Sequence, residues 1–371
     1  MNNPASINKY TCSNCGADLA FNPIQGVLKC DYCGHEEVIS QTKEQPQERS
    51  YEAHINNSKV RLEKLSATAV EVNCADCGAN ITFEPPKVAG SCPFCAAKIV
   101  AQPKLADPTI APEGIVPFSL GRQDARKNLQ KWMKDLWFAP NDLKQLAQPE
   151  KIQGVYLPFW TYDTQTLSSY SGQRGDYYYV TENYTEKNDN GEEVTKTRQV
   201  KHTRWTSVSG MVNRSFDDVL VPATKLVDVG NLKALEPWNL KESLRAYEPS
   251  YLAGFEAQRS QVTLEEGLTE AKKTIDNEIN YSVKRDIGGD EQEVYNISTD
   301  YQKISFKHIL LPVWLASYRY KQRQFQVLIN AQTGEVQGER PYSTMKILLA
   351  VLGGAFVTGI IILIILWLSN R

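Results

Sequence analysis

The sequence predicts an α+β protein with two small cysteine-paired modules at its front, a domain rich in antiparallel strands, and one apolar helix at its end. Three observations predict it. All eight cysteines fall in four Cys-x-x-Cys pairs, alternating tyrosine- and valine-rich runs fill the region from 150 to 340, and Ile347 to Leu368 carries no charge. At 371 residues the chain exceeds the usual size of one compact unit. Its 42% hydrophobic and 23% charged residues suffice for a core, and 41 basic against 43 acidic side chains leave no bulk charge to draw nucleic acid or an anionic surface.

The N-terminal residues are polar and lack the apolar core of a secretory signal, so the front of the chain is expected in the cytoplasm. Paired cysteines in a reducing compartment point to metal rather than to disulfides. The pairs are Cys12 and Cys15, Cys30 and Cys33, Cys74 and Cys77, Cys92 and Cys95, with 14 residues between the inner cysteines of each set. Gly16, Ala17, Phe21 and Pro23 recur as Gly78, Ala79, Phe83 and Pro85 at a constant offset of 62, so the module is duplicated. A two-residue gap lets both thiolates of a tight turn face one ion, and two such turns complete a tetrahedral shell. Four sulfurs favour zinc or iron, and a shell with no open position is structural; two structural Zn2+ ions are expected. A redox pair would not need a matched partner pair, haem attachment would need histidine directly after the second cysteine, and Gly34 stands before His35. His35 reads as a solvated loop residue. Residues 1–100 hold 9 basic and 11 acidic side chains, which favours protein contact over nucleic acid for these modules.

The expected organisation is a first zinc ribbon at 8–40, a polar spacer at 41–70, a second ribbon at 71–101, and a proline-rich linker at 102–118. An α+β domain follows at 119–340. Residues 122–138 place Ala125, Leu129, Trp132, Met133, Leu136 and Trp137 on one side of a helix stopped by Ala139-Pro140, with its aromatics in the core. Strands are expected at 152–169, 175–184 and 194–208, the last two joined across Asn188 to Gly191 as a long ribbon. A helix capped by Thr263, with Glu265 and Glu266 in its first turn, should run to about Tyr281, followed by strands at 294–306, 309–320 and 323–330. Leu157-Pro158-Phe159-Trp160 echoes Leu311-Pro312-Val313-Trp314. Each is read as opening a strand, because proline would interrupt a central ladder, with the tryptophans as core anchors rather than the lining of a ligand pocket. No nucleophile elbow, phosphate-binding glycine loop or second metal constellation is found, and His202 and His308 read as structural or solvated, so no enzyme is expected.

Ile347 to Leu368 is long enough as a helix, about 33 Å, to cross a bilayer. Arg340 and Lys346 on its near side outweigh Arg371 on its far side, which places the large domain in the cytoplasm and predicts a single-pass, tail-anchored protein in the cell membrane. Ala350, Gly354 and Thr358, and likewise Ala355 and Gly359, form small-residue faces on which self-association is possible.

With the Cys-x-x-Cys duplication, Pro117-Phe118, Phe138-Ala139-Pro140, Gly154 to Trp160, Leu311 to Trp314, Thr333-Gly334-Glu335 and the terminal span in this order, most of the chain resembles bacterial tail-anchored zinc-ribbon membrane proteins. Those accompany SPFH (flotillin-like) and phage-shock-protein-A-like envelope-stress proteins. The resemblance implies a membrane adaptor that recruits such partners and supplies no catalytic residues. A membrane-tethered nucleic-acid binder is the alternative. The ribbons also resemble the zinc region of the primosomal helicase, but no Gly-x-x-x-x-Gly-Lys-Ser/Thr loop exists to carry helicase chemistry.

Overall fold

The computed structural model describes residues 10–39, 46–56, 70–73, 80–83, 89–91, 94, 98–100, 104–105, 110–143, 151–187, 191–321 and 323–369. The first cysteine module is a three-stranded antiparallel sheet of β1 (Leu19–Asn22), β2 (Val27–Cys30) and β3 (Glu36–Val38), in that order. Period-two alternation buries Leu19, Phe21 and Leu28 on one face with Cys12 and Cys30. This small core is continuous with that of the main domain: Phe21 N donates to Ala253 O at 2.9 Å, and its ring meets Tyr251 edge-on at 5.2 Å.

The expected polar spacer is partly built into the domain. β4 (Arg49–Ser50) pairs with the main sheet at Ser305 and Phe306, and α1 (Tyr51–Asn56) follows. Glu48 and Arg49 make ion pairs to Lys307 and Glu113, which explains why so polar a stretch is ordered.

The second module contributes β5 (Val70–Asn73), β6 (Asn80–Phe83), β7 (Ala89–Ser91), β8 (Lys98–Val100) and β9 (Lys104–Leu105). Its pairing repeats the first module at the same offset of 62. Val27↔Val38 and Lys29↔Glu36 become Ala89↔Val100 and Ser91↔Lys98, and the bridge Thr11↔Asp18 becomes Asn73↔Asn80. The β1–β2 ladder has no counterpart between β6 and β7 among the described residues.

The main sheet is built from β10 (Gly114–Ile115), β11 (Lys151–Lys187), β12 (Glu193–Pro222), β13 (Arg245–Ala246), β14 (Glu256–Ala257), β15 (Glu291–Tyr320), β16 (Arg323–Asn330) and β17 (Val336–Gly338), together with β4. Its helices are α2 (Arg122–Asp135), α3 (Val229–Lys233), α4 (Leu240–Ser243) and α5 (Leu264–Ile287). The central order is β12-β11-β15-β10-β13; β14 lies on β11, and β16 lies on β15 with β17 beyond it. The long pairs are antiparallel, but β10–β15 and β11–β14 are parallel, so the sheet is mixed. The break expected at 170–174 is a register shift at Ser171/Gly172 and not a strand end, the break expected at 307–308 is absent because Lys307 and His308 pair in register with Thr161 and Trp160, and a further shift falls at Asp163/Gln165. Beyond Gly175 and Glu291 only β11 and β12 continue, as a two-stranded arm.

The two Leu-Pro-x-Trp segments lie in mid-strand, not at strand openings, and pair with each other, Leu157 opposite Leu311. Their prolines are tolerated because each stands where its strand changes neighbours. β11 is flanked by β14 up to Tyr156 and by β12 from Phe159; β15 is flanked by β10 up to Leu310 and by β16 from Val313. At Pro158 and Pro312 no neighbour requires the missing N–H. Their carbonyls are still used, accepting from Ala223 N at 2.9 Å and Ala331 N at 3.1 Å.

The tryptophans extend the correspondence. Trp160 Nε1 donates to Val262 O and Trp314 Nε1 to Leu120 O, and each acceptor directly precedes a helix N-cap, Thr263 for α5 and Gly121 for α2. α5 has the expected N-cap at Thr263, which Glu266 completes into a capping box; it buries Leu264, Leu268, Ala271, Ile275, Ile279, Val283 and Ile287 against the sheet, and continues past Tyr281 to stop at Gly288.

The expected linker at 102–118 enters the core at its far end, where Ile115, Val116 and Phe118 are buried. Phe118 stacks on Phe255 at 4.1 Å and meets Tyr156 and Trp314 edge-on. A Cβ at Gly154 would overlap the Phe255 ring, so this aromatic cluster is filled by its own rings. Alternation along β11 and β15 divides the core. Tyr156, Leu310 and Trp314 pack with α2 and the first cysteine module, while Val155, Leu157, Leu311 and Val313 pack with α3, α4 and Phe94 of the second module. The two modules therefore contact opposite faces of one sheet.

α2 ends at Asp135, two residues before Trp137, which is 78% exposed rather than in the core. The last element, α6 (Thr344–Ser369), has no buried residue in its apolar stretch and is long and apolar enough to cross a membrane.

Candidate metal centre

In the first module the chain forms two tight turns of the same geometry. Gly16 N donates to Cys12 O and Gly34 N to Cys30 O, each at 2.9 Å, while Cys12 N donates to Ala17 O and Cys30 N to His35 O. Gly16 and Gly34 both have φ of 75°, a left-handed conformation that favours glycine, and this bend turns the following amides toward the thiols. The sulfurs of Cys12, Cys15, Cys30 and Cys33 all lie within 4.8 Å of one another. Cys12–Cys33 and Cys15–Cys30 are each 3.5 Å apart. That is far beyond a disulfide of about 2.05 Å. A tetrahedral ion with bonds of about 2.3 Å separates its sulfurs by about 3.8 Å, so the cluster fits one metal ion with no fifth position.

Electrostatics point the same way. The backbone N–H of His35 and the Asn14 side chain hold the Cys33 thiol down at about 6. The Ala17 N–H acts likewise on Cys15, but the neighbouring thiols, Cys33 first, outweigh it and push Cys15 up to about 12. Four sulfurs this close cannot all be thiolates unless a cation sits among them.

Ser13 braces the first turn: its Oγ donates to Glu37 Oε1 at 2.8 Å and its N to the same oxygen at 3.1 Å, with His35 Nε2 3.1 Å from Oγ. His35 is thus a neighbour of the sulfur cluster and not a member. Cys74, Cys77, Cys92 and Cys95 lie outside the described residues, so one four-sulfur group is seen, not two.

A second acidic group, Glu48, Asp163 and Asp217, was not legible in the sequence, since its members are far apart in the chain. The Lys307 ammonium already stands there, 2.9 Å from Asp218, 3.1 Å from Glu48 and 3.8 Å from Asp163. Burial first, then the neighbouring acids, hold Asp163 up at about 6 despite that cation. This is an ion-paired core that fastens the spacer segment and β12 to β15. His308 is buried, its Nδ1 bonded to Ile110 O at 2.8 Å, and His202 stacks on Tyr178.

Fold and site together define a protein that carries a four-cysteine cluster able to hold a metal ion beside a large curled mixed sheet and ends in an exposed apolar helix. A protein of Bacillus subtilis (strain 168) described as "Uncharacterized protein YdjG" is 26% identical over 360 residues, covering 94% of this chain and 95% of that protein. No protein-family profile matches the chain, and no solved structure matches it.

Proposed function

We propose that the chain is a non-enzymatic membrane adaptor, in which structural zinc folds both cysteine modules, the domain and its first module hold a cytoplasmic protein partner, and α6 fixes the complex in the cell membrane. The observation that carries this reading is the closed four-sulfur cluster and the unburied 25-residue apolar span in one chain. Such a cluster leaves no position for substrate or water. Register repetition at offset 62 supports a second zinc at Cys74, Cys77, Cys92 and Cys95. Arg340 and Lys346 before the span support a cytoplasmic domain. The resemblance described above makes SPFH or phage-shock-protein-A-like proteins the partners to look for.

The nucleic-acid alternative has one feature in its favour. On the β11–β12 arm Lys201, Arg204 and Arg198 lie over Tyr177, Tyr178 and Tyr184. Residues 176–204 nonetheless hold five basic and six acidic side chains, and Glu182 and Glu186 pair with Arg198 and Lys196. That balance does not track phosphates.

Isolation of the intact protein from cells in mild detergent, beside a Cys15→Ser, Cys77→Ser variant, tests the choice. The adaptor reading expects envelope-stress proteins that copurify only with the unsubstituted chain, and membrane association in both. Nuclease-sensitive nucleic acid without a stable protein partner would replace it by the alternative.

A further inference from the structure

Where α6 leaves the domain, a cavity of about 700 Å³ is lined by Trp132, Tyr320, Lys321, Phe325, Arg340 and Tyr342, among others. The volume is in the range of sites that take a drug-sized molecule. Its wall ends at Tyr342, and α6 begins at Thr344. Two residues of chain reach at most about 7 Å. The exit of the helix is also fixed to the domain. Ser343 N donates to Phe138 O at 2.7 Å, and Lys346 Nζ donates to Ala139 O at 2.7 Å and Trp137 O at 3.2 Å. Cavity, helix start and the exposed rings of Trp137, Phe138 and Tyr342 are therefore held at one level. Exposed tryptophan and tyrosine at one end of an apolar span is the pattern of a membrane–water interface.

The charges in the cavity complement one component of that interface. Lys321 Nζ lies 5.3 Å from the Tyr320 ring centre, and the Arg340 guanidinium lies 5.4 Å from that of Tyr342, to whose Oη its Nε donates at 3.2 Å. The rings hold the two cations in place, and among the described residues neither makes an ion pair. Glu339 is the acid of the lining, so the cavity keeps a net positive charge. Trp132 and Phe325 supply the apolar surface that the glycerol end of a lipid would cover.

We propose that this cavity binds the headgroup of an anionic phospholipid from the leaflet that α6 enters, with Lys321 and Arg340 holding its phosphate. The site rests on the reading of α6 as a membrane span. It adds a lipid-selective contact that a plain anchor does not need, and net positive charge favours an anionic headgroup over a zwitterionic one, whose own cation would be repelled.

The test uses the full chain reconstituted into phosphatidylcholine vesicles carrying a photoactivatable phosphatidylglycerol or, separately, a photoactivatable phosphatidylcholine, with crosslinked peptides mapped by mass spectrometry. Expected is labelling of the peptides around Trp132 and Lys321 several-fold stronger with the phosphatidylglycerol probe. A Lys321→Ala, Arg340→Ala variant should lose that excess while entering vesicles as before and unfolding at the same temperature. Should the double variant fold poorly, Lys321→Gln, at an exposed turn, is expected to lose part of the excess by itself. Equal labelling by the two probes, or an unchanged excess in the variants, overturns the proposal. Abolition of the label by inorganic phosphate alone would assign the cavity to free phosphate and overturn it too. Failure of the intact chain to enter vesicles would instead sink the membrane span itself, and the lipid site with it.

Discussion

Phe94 and Tyr32 occupy the same place in the two modules, 62 residues apart between the second pair of cysteines, and meet opposite surroundings. Phe94 is 2% exposed among Leu232, Trp238 and Val313, with its carbonyl accepting from Gln326 Nε2, whereas Tyr32 is 86% exposed. Phe94→Ala should therefore destabilise the chain by about 3–5 kcal/mol and Tyr32→Ala by less than about 0.5 kcal/mol, measured by denaturant unfolding in detergent. If the first module is a docking surface, Tyr32→Ala should weaken partner recovery at unchanged stability. A second residue-level contrast concerns pH. Burial holds Glu113 up at about 7, although His308 N donates to it and Arg49 pairs with it, and burial holds His308 down at about 4. Glu113 keeps its proton in the folded chain after the unfolded chain has lost it. Its contribution is full below about 4.5 and is lost as pH rises to about 7. His308 acts in the other direction. Its folded form refuses a proton that the unfolded chain takes up, so its contribution is present above about 6.5 and is lost as pH falls to about 4. Between pH 4.5 and 6.5 the two slopes oppose each other. Glu113→Gln should thus leave a stability that rises with pH across that window relative to the parent, and His308→Gln one that falls; parallel profiles for the two variants would contradict this.

At the scale of elements, the long strands owe their continuity to what happens at Pro158 and Pro312. Local sequence marks each proline as a strand opening, which is sound for a ladder with one neighbour per side. Each strand is instead flanked in succession by two different neighbours, a property of tertiary pairing that no local pattern carries. The helices were more legible. Thr263 with the acids Glu265 and Glu266 behind it marks the start of α5, because an N-cap and an acidic first turn are written within four residues, whereas the end at Gly288 lies seven residues past the expected Tyr281. Trp137 was misplaced because apolar spacing alone does not reveal that α2 stops two residues earlier. The tryptophans of the echo are buried as expected, but their indole N–H bonds, which brace the start of a helix in each case, depend on contacts remote in the chain. Trp160→Phe and Trp314→Phe should each cost about 1 kcal/mol or more by leaving a carbonyl unpaired. Thermal unfolding that drops for only one of them would show that the two anchors are not equivalent.

On the scale of the whole molecule, the cysteine pairs and the apolar end were readable because each is a pattern local in sequence. The placement of the two modules on opposite faces was not, because it depends on Phe21 meeting Tyr251 and Phe255, and Phe94 clustering with Leu232, Trp238 and Val313, all distant in the chain. Further dependence on distance appears in the sheet itself. β10, from the early part of the domain, lies on β15, and β14, from the late part, lies on β11. A chain severed between Ala253 and Gly254 is expected to yield two pieces that are insoluble when produced apart and copurify when produced together; a stable, soluble early piece would contradict this. The same interleaving bears on descent. If two half-length chains, each with a short strand, a helix and a long hairpin, had exchanged their short strands in a homodimer, joining them end to end would give this arrangement with every contact preserved. In the fused gene each half would be free to diverge while still bound to complete the other, and one product of such divergence is a long arm on the first hairpin and a short turn on the second.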